Sequence, residues 1–324
     1  MRDQSTTAPA AAVLAPAVRE ILSQVQVEAT GGFRVRGERH APDRGRPLVA
    51  RLAAALYEAF HAGRPLDRST PHGDEVFVGR LTAAHPVANS EDPGWRIVAH
   101  RPDERWVVEQ HGVQLTVESS ELVGHGAGVG DVVSVRLPAK RPSLSPGFFS
   151  VVGSGGGPSG ACTTRFYCNL QAEVAPDFFG ALALVLEETR VRYAAKTLSR
   201  PQEYGRFDGT VVYVDSRDAR RVGLALRELV SRFADAMNAP TPRLTLALSP
   251  GLAMAEDPAQ SAGRARSFGE HRCHAIAAAL ATAGSPTTDE EEALANHVGQ
   301  RLRAAGIDPV RPYLNLDSRG HGAG

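Results

Sequence analysis

The spacing of apolar residues changes along this chain, and that change limits the possible folds more than any other feature of the sequence. Between Leu48 and His61 apolar residues recur every four positions, which predicts an amphipathic helix. Between Trp95 and Leu137 the period shortens to two, which predicts strands. Further on, strand-like and helix-like segments mix without strict βαβ regularity. The sequence therefore predicts an α+β protein with a central mixed or antiparallel sheet flanked by helices, and a smaller helical and β domain at the N-terminus.

The clearest break in composition is the glycine-rich stretch 153–160 (GSGGGPSG). It lacks the Lys-Ser/Thr ending of a phosphate-binding loop, so we interpret it as a flexible linker. We predict an N-terminal domain, 1–152, that binds a peptide or a partner protein. A C-terminal domain, 161–324, would then carry the chemistry.

Composition and charge exclude several classes of protein. The 36 acidic residues balance the 36 basic ones, which argues against a nucleic-acid partner. No apolar run approaches the ~18 residues that a membrane span needs, and the N-terminus has no long apolar segment. Three cysteines without a CxxC pair argue against a disulfide framework or a zinc site. We therefore expect a cytoplasmic protein with no membrane partner.

The C-terminal half has clear start and stop signals for its elements. The predicted helices span 175–188, 217–237, 267–283 and 289–305, and the predicted strands span 165–170, 191–198, 209–214 and 244–248.

Lysine is scarce, since only Lys140 and Lys196 occur among the 36 basic residues. Arginine stays protonated, whereas a lysine that is removed from water can lose its proton near neutral pH. Lys196 lies in a largely apolar, strand-like segment, so it is our first candidate for a catalytic base. Lys140 lies in a proline-flanked turn and has no such surroundings.

Four polar segments lie in otherwise apolar surroundings. They are 165–169 (RFYCN), Lys196 with Thr197 and Ser199, 204–208 (YGRFD) leading to Tyr213, and Arg264, Arg266, Glu270, His271 and Arg272 at the start of a helix. Guanidinium groups and helix N-termini bind phosphate, and an amine among cations can abstract a proton. No aspartate pair and no complete set of His and Cys residues has metal-ligand spacing, which argues against a metal site.

Several of these residues have a structural alternative. Arg206 can form an ion pair with Asp208 or Glu203, and the arginines at 264, 266 and 272 can be an ordinary solvated face. Tyr204 and Tyr213 can be core aromatics with satisfied hydroxyl groups. His271 and His274 are spaced like a metal pair, but no third ligand is evident. Trp95 and Trp106 are expected in the core.

Seven stretches together resemble a known family. They are 77–84 (FVGRLTAA), 146–149 (PGFF), 165–167 (RFY), 204–208 (YGRFD), 248–251 (LSPG), 255–258 (AEDP) and 267–273 (SFGEHRC). Their pattern resembles the HopA-type effector domain, first seen in bacterial type III effectors. The same family supplies the lyase component of class V lanthipeptide and thioamitide dehydratases.

The order of the candidate residues is also distantly similar to that in phosphothreonine lyases. This resemblance implies that Lys196 is the base, that Arg165 and Arg206 bind phosphate, and that Tyr213 takes the last position. Arg264, Arg266 and Arg272 would complete the phosphate site, and Tyr204 or Asp208 would orient groups. Tyr167 stands where the family has the histidine that acts as general acid. This leaves Tyr167 or His271 as the general acid, or guanidinium groups that alone stabilise the leaving phosphate.

The implied reaction is β-elimination of phosphate from phosphoserine or phosphothreonine in a ribosomal precursor peptide, which gives dehydroalanine or dehydrobutyrine. No cofactor or metal is implied. The chain has no kinase motif, so a separate kinase-like protein would phosphorylate the peptide. The alternative is a non-catalytic, effector-like scaffold that binds a peptide or protein partner.

Overall fold

The computed structural model describes residues 14–65, 73–124, 128–259, 266–283 and 291–318. Helices and antiparallel sheets together confirm the predicted α+β class. Contacts between Cα atoms divide the chain into two compact units. The first unit comprises Met1–Pro65, Pro242–Leu246 and Ala255–Gly320, and the second comprises Leu66–Thr241, Ala247–Met254 and His321–Gly324.

This division differs from the one drawn at the glycine-rich stretch 153–160, which lies inside the second unit. The stretch has fixed hydrogen-bond partners there. The Ser154 N–H donates to Glu187 Oε1 over 3.0 Å, and the Ser159 N–H donates to Asp215 Oδ1 over 3.0 Å. The functional boundary placed at this stretch stays a prediction, but in the structure the half-buried Glu187 and the buried Asp215 hold the backbone in place.

Helices and strands are numbered here in chain order. The helices are α1 (Pro16–Ser23), α2 (Leu48–Leu56), α3 (Glu75–Ala84), α4 (Ala175–Glu188), α5 (Ala219–Arg232), α6 (Phe268–Ala283) and α7 (Glu291–Ala304). The strands are β1 (Val25–Val27), β2 (Phe33–Val35), β3 (Glu38–His40), β4 (Asn89–His100), β5 (Arg105–Gln110), β6 (Val113–Glu118), β7 (Leu122–Val123), β8 (Val132–Pro138), β9 (Lys140–Ser145), β10 (Phe148–Val152), β11 (Thr163–Cys168), β12 (Tyr193–Leu198), β13 (Thr210–Asp215), β14 (Leu246–Ser249) and β15 (Leu252–Glu256).

The first unit combines helices with a small antiparallel sheet of β1, β2 and β3. Helix α2 packs against α6, and α6 packs against α7. Helix α2 continues into a π-helix, Tyr57–Ala62, which carries the buried His61. Gly269 in α6 leaves room for that ring, because a Cβ atom at this position would lie 2.5 Å from it.

A five-stranded antiparallel sheet in the second unit curls on itself. Its strand order is β6-β5-β4-β8-β7, so β6 and β7 form opposite edges. A flat sheet would separate them by about 19 Å, but a single 3-10 turn, Ser119–Glu121, joins them. Three residues span only ~10 Å, so the sheet closes into a small, partly open barrel. Its core contains Trp95, Ile97, Val108, Val117 and Val135, which confirms the expectation for Trp95.

The larger sheet has the strand order β14-β15-β11-β13-β12-β10-β9. The four strands β10, β12, β13 and β11 lie side by side and are joined by antiparallel ladders. Helices α4 and α5 cover one face of these strands. The ring of Phe179 in α4 meets that of Phe149 edge-on at 6.1 Å, and Gly223 in α5 lies against Phe166. The opposite face carries Lys196, Tyr167, Tyr213 and Arg165.

Candidate active site

Lys196 and Tyr167 lie in one row that crosses four neighbouring strands. Lys196 on β12 pairs with Ser150 on β10 and with Val211 on β13, and Val211 pairs with Tyr167 on β11. Residues that pair directly across an antiparallel ladder point to the same face of the sheet. Lys196, Ser150 and Tyr167 therefore share a face, and Val211 separates the lysine from the tyrosine.

The next row on the same face contains Tyr213 and Arg165. These two residues pair with each other across β13 and β11, and Tyr213 also pairs with Ala194, two residues from Lys196. The Arg165 guanidinium carbon lies 4.8 Å from the centroid of the Tyr213 ring. Tyr213 is the diagonal neighbour of Lys196, an offset of about 7–8 Å in such ladders. The sheet thus brings together four of the residues that the sequence singled out.

The Lys196 amine lies over an aromatic ring. Its Nζ is 4.1 Å from the centroid of the Phe148 ring, and Phe148 is buried. Contact with the face of the ring orients the amine while its alkyl stem packs on apolar surface. Lys196 itself is half-buried, as are Arg165 and Tyr213. The amine is therefore held in a defined direction and remains partly open to solvent.

Burial distinguishes the two tyrosines of this face. Tyr167 is only 1% exposed, whereas Tyr213 is half-buried. A molecule that approaches from solvent reaches Tyr213 before Tyr167. Of the two phenols, Tyr213 is the better placed to contact a substrate in this structure.

The segment between β12 and β13 contains a buried ion pair. The Arg206 Nε and Nη2 donate to the Asp208 carboxylate over 2.9 and 3.0 Å, and both side chains are buried. Of the two partners considered for Arg206, the structure selects Asp208, while Glu203 pairs with Arg200 at 3.5 Å. The Arg206 side chain is therefore held in a buried ion pair in this structure.

Tyr204 belongs to a chain of buried hydroxyl groups. Its hydroxyl donates to the Leu198 carbonyl over 3.0 Å and lies 2.7 Å from Thr197 Oγ1, which is 2.7 Å from Thr210 Oγ1. Burial raises the pKa of the Tyr204 phenol well above its usual range. These contacts agree with the structural alternative for Tyr204, since its proton is committed to a backbone carbonyl.

Arg272 belongs to the first unit and is fully buried. Its guanidinium donates to the carbonyls of Pro312 and Leu314, each over 3.2 Å, and to Asn315 Oδ1 over 2.9 Å. The Arg272 Nη1 also lies 2.9 Å from His271 Nδ1. This geometry favours a structural role for Arg272, which fixes the C-terminal segment.

His271 is poorly suited to donate a proton. Burial is the main cause that lowers its pKa to about 4, and the charges of Arg272 and Arg266 add to the effect. The ring is therefore neutral at pH 7. Because guanidinium groups only donate, Nδ1 accepts from Arg272 and the ring proton lies on Nε2. Arg266 is exposed, and Arg264 lies outside the described residues.

Sequence reasoning missed two neighbours of Lys196. Ser150 lies directly across the ladder from Lys196, and Phe148 supplies the ring beneath its amine. Both lie on β10, which no helix or strand prediction covered. A usable signal was present, since the turn-forming Pro146-Gly147 pair precedes an apolar run there.

The described residues contain no group of three or more His, Cys, Asp or Glu side chains that could hold a metal ion. None of the helices in the described part of the chain is long and apolar enough to cross a membrane.

One cleft of about 500 Å³ lies beside Pro93, Val123 and Val132. A second, of about 280 Å³, lies beside Asp74, Arg80 and Pro201.

Comparison with known proteins gives a family and a fold. No curated protein sequence matches the chain. Among solved structures, the effector protein from Pseudomonas syringae pv. tomato strain DC3000 has a TM-score of 0.52 at 18% identity, over 92% of this chain and 96% of that one. The effector protein from Pseudomonas syringae pv. syringae strain 61 has a TM-score of 0.47 at 16% identity, over 82% and 95% of the two chains.

At that identity the first effector shows a shared fold alone. The profile of the HopA1 effector protein family matches residues 139–314, which is more than half of the chain and includes the whole face that carries Lys196. The chain therefore belongs to the HopA1 effector protein family.

Proposed function

We propose that this protein is a phosphopeptide lyase that eliminates phosphate from phosphoserine or phosphothreonine in a ribosomal precursor peptide. The observation that carries the proposal is that Lys196, Arg165, Tyr213 and Tyr167 share one face of adjacent strands. A base, a guanidinium and phenols within one patch are the groups that such an elimination needs.

In this reaction Lys196 takes the proton from the Cα atom of the phosphorylated residue. The electron pair of the Cα–H bond forms the new Cα=Cβ double bond, and the Cβ–O bond breaks. Phosphate leaves with that bonding pair, and the peptide retains dehydroalanine or dehydrobutyrine. The amine must lie close to the Cα proton, because a positioned base accelerates proton abstraction only within hydrogen-bond reach of the proton that it takes.

Arg165 is our first choice for the phosphate ligand. It is half-buried, and its guanidinium lies over the Tyr213 ring, which fixes its plane. A guanidinium held in one plane can donate two parallel hydrogen bonds to a phosphate. Arg206 is a second candidate from the family resemblance. Arg264 and Arg266 stay candidates from the family resemblance, while the contacts of Arg272 favour a structural role.

Tyr213 is our choice for the group that stabilises developing charge. Its half-buried hydroxyl lies diagonally from Lys196 on the same face. A phenol can donate a hydrogen bond either to the leaving oxygen or to the substrate carbonyl, where negative charge develops. Tyr167 is the alternative donor, and it would need movement of its surroundings because it is 1% exposed.

The proposal includes two partners. A kinase-like protein must phosphorylate the precursor peptide first, and the peptide must present its phosphorylated residue to the Lys196 face in an extended form. The predicted role of residues 1–152 in peptide or partner binding belongs to this proposal.

The test is an assay of the purified chain with a synthetic phosphothreonine peptide. We expect release of inorganic phosphate and a peptide mass lowered by one phosphoric acid. Lys196→Ala and Lys196→Arg should both abolish release, since neither supplies a neutral amine. Lys140→Ala is the matched control, because it removes the other lysine of the chain and should retain activity. Full elimination by Lys196→Ala would exclude Lys196 as the base, and no elimination by the wild-type chain would favour a non-catalytic scaffold.

A further inference from the structure

The strand β6 forms one edge of the small, partly open barrel, and the turn Ser119–Glu121 joins its C-terminal end to β7. It pairs with β5 on one side and ends the strand order on the other. Val113, Gln114, Thr116 and Glu118 are exposed, and Val113 is 54% exposed. An edge strand whose backbone reaches solvent is a template for a further strand.

Hydrogen bonds at one end of β6 show which backbone groups point outward. The Glu118 N–H donates to Glu121 Oε2 over 2.8 Å, so it does not donate to β5. Its partner Arg105 directs its N–H to Asp103 and its carbonyl to Arg101. Glu118 therefore occupies a non-hydrogen-bonded position of the ladder.

Such positions alternate along an antiparallel pair. Thr116 and Gln114 are the next residues in the same phase, so their N–H and C=O groups also point away from β5. Outside the ladder with β5, neither of these amides donates a hydrogen bond to another described residue. Four backbone groups are thus available to an incoming strand.

The features that usually protect an edge are missing from β6. The strand contains no proline and no lysine, and its ladder with β5 runs over six residues without a bulge. Proteins commonly blunt exposed edges with such devices. The unprotected edge is therefore suited to strand addition, in which backbone hydrogen bonds provide affinity and side-chain contacts provide selectivity.

Charge indicates what kind of segment would bind. Residues 89–138 contain eight acidic residues and four arginines, with no lysine. Glu109 and Glu118 lie at opposite ends of the β5–β6 ladder, and the nearby Arg105 is neutralised by Asp103. An acidic surface repels acidic segments and attracts basic ones, so the β6 edge favours a basic strand.

We propose that the β6 edge binds an extended, basic peptide segment, which adds to the barrel as a further strand through Gln114 and Thr116. This site is separate from the Lys196 face, and its occupation does not depend on lyase activity.

The test is hydrogen exchange of the full-length protein with a synthetic peptide of alternating lysine and threonine. At a peptide concentration of about ten times the dissociation constant, exchange at the Gln114 and Thr116 amides should slow about tenfold, because only the free protein exchanges. Amides of the Lys196 strand should be unaffected.

Two variants locate the contact. Thr116→Pro removes an outward N–H that the barrel does not use, and an edge strand tolerates proline there. It should abolish binding, whereas the matched control Thr116→Val should bind like the wild type. Glu109→Lys leaves the backbone intact and should weaken binding of the basic peptide several-fold, which keeps the test valid if the proline variant does not fold.

Three results would overturn the proposal. One is unchanged exchange at β6 with saturating peptide. Another is equal protection by a peptide of alternating glutamate and threonine, which would exclude charge selection. The last is protection that grows with protein concentration in the absence of peptide, which would make a second copy of the chain the occupant of the edge.

Discussion

Replacing Arg272 by alanine tests whether this arginine is structural or a phosphate ligand. The side chain has no solvent exposure, and four acceptors surround it: the carbonyls of Pro312 and Leu314, Asn315 Oδ1 and His271 Nδ1. Alanine removes the charge together with every donor. The Pro312 carbonyl then loses the arginine N–H in a buried site, whereas the Leu314 carbonyl keeps the Asp308 N–H at 3.4 Å, and Asn315 and His271 are half-buried.

Each buried acceptor that loses its partner costs about 1–3 kcal/mol. Four full losses would add to as much as ~12 kcal/mol, but the Leu314 carbonyl keeps the Asp308 N–H, two of the acceptors are half-buried, and relaxation and entry of water reduce the sum further. We therefore expect Arg272→Ala to lower the free energy of unfolding by at least ~3 kcal/mol, a large part of the 5–15 kcal/mol typical of a folded protein.

Urea denaturation followed by circular dichroism measures this change, with the first unit as the part that should unfold earlier. Arg266→Ala is the matched control, because that nearby arginine is exposed and should change stability by less than about 0.5 kcal/mol. A variant Arg272→Ala with wild-type stability and no phosphopeptide turnover would refute the structural role. It would instead place Arg272 among the phosphate ligands.

Three further predictions follow from other parts of the molecule. Gly180→Ala in α4 should destabilise the protein by about 1–3 kcal/mol, because its Cβ would lie 2.6 Å from the Ala84 carbonyl oxygen. Gly223→Ala in α5 should be neutral or stabilising by up to ~1 kcal/mol, because its Cβ would meet the Phe166 ring at an ordinary 3.4 Å. Thermal denaturation compares the stability of the two variants. Tyr204→Phe should lower the free energy of unfolding by about 1–3 kcal/mol in urea titrations, because it leaves a buried carbonyl without its donor. Burial lowers the pKa of His85 to about 4 from its ordinary 6.5, so as the pH falls the unfolded chain gains a proton there before the folded chain does. The stability that the neutral ring contributes should be fully present above pH 6.5 and fall as the pH drops toward 4. His85→Phe should flatten that part of the curve of unfolding free energy against pH.

Periodicity predicted the elements of the core well, because these are fixed by local burial patterns. The helix predicted over 175–188 is α4, Ala175–Glu188, and its buried residues form one face against the sheet. The helix predicted over 217–237 was too long at both ends. It spans Ala219–Arg232, with short 3-10 turns before and after it, and Asp218 occupies its N-cap position.

Contacts between individual side chains were harder to predict from the sequence than helices and strands. The local pair of Arg206 and Asp208 was open to prediction because the two residues are two apart, and the sequence left it open against a pair with Glu203. The contacts of Arg272 with residues 312–315 join segments about forty positions apart, so no local pattern marks them. Cysteine is usually buried, but Cys162 is exposed because it lies before β11 rather than within it.

The candidate face follows from strand register rather than from residue types. A one-residue slip of β12 against β13 would move Lys196 to the side covered by α4 and α5, where Ala195 and Thr197 now lie buried. That register is held by apolar residues such as Val212 and Phe166, which face the helices. Burial on one side of the sheet therefore determines which polar groups meet on the other. The scarce lysine, the arginine at 165 and the tyrosine at 213 share a surface because their strand neighbours must be covered.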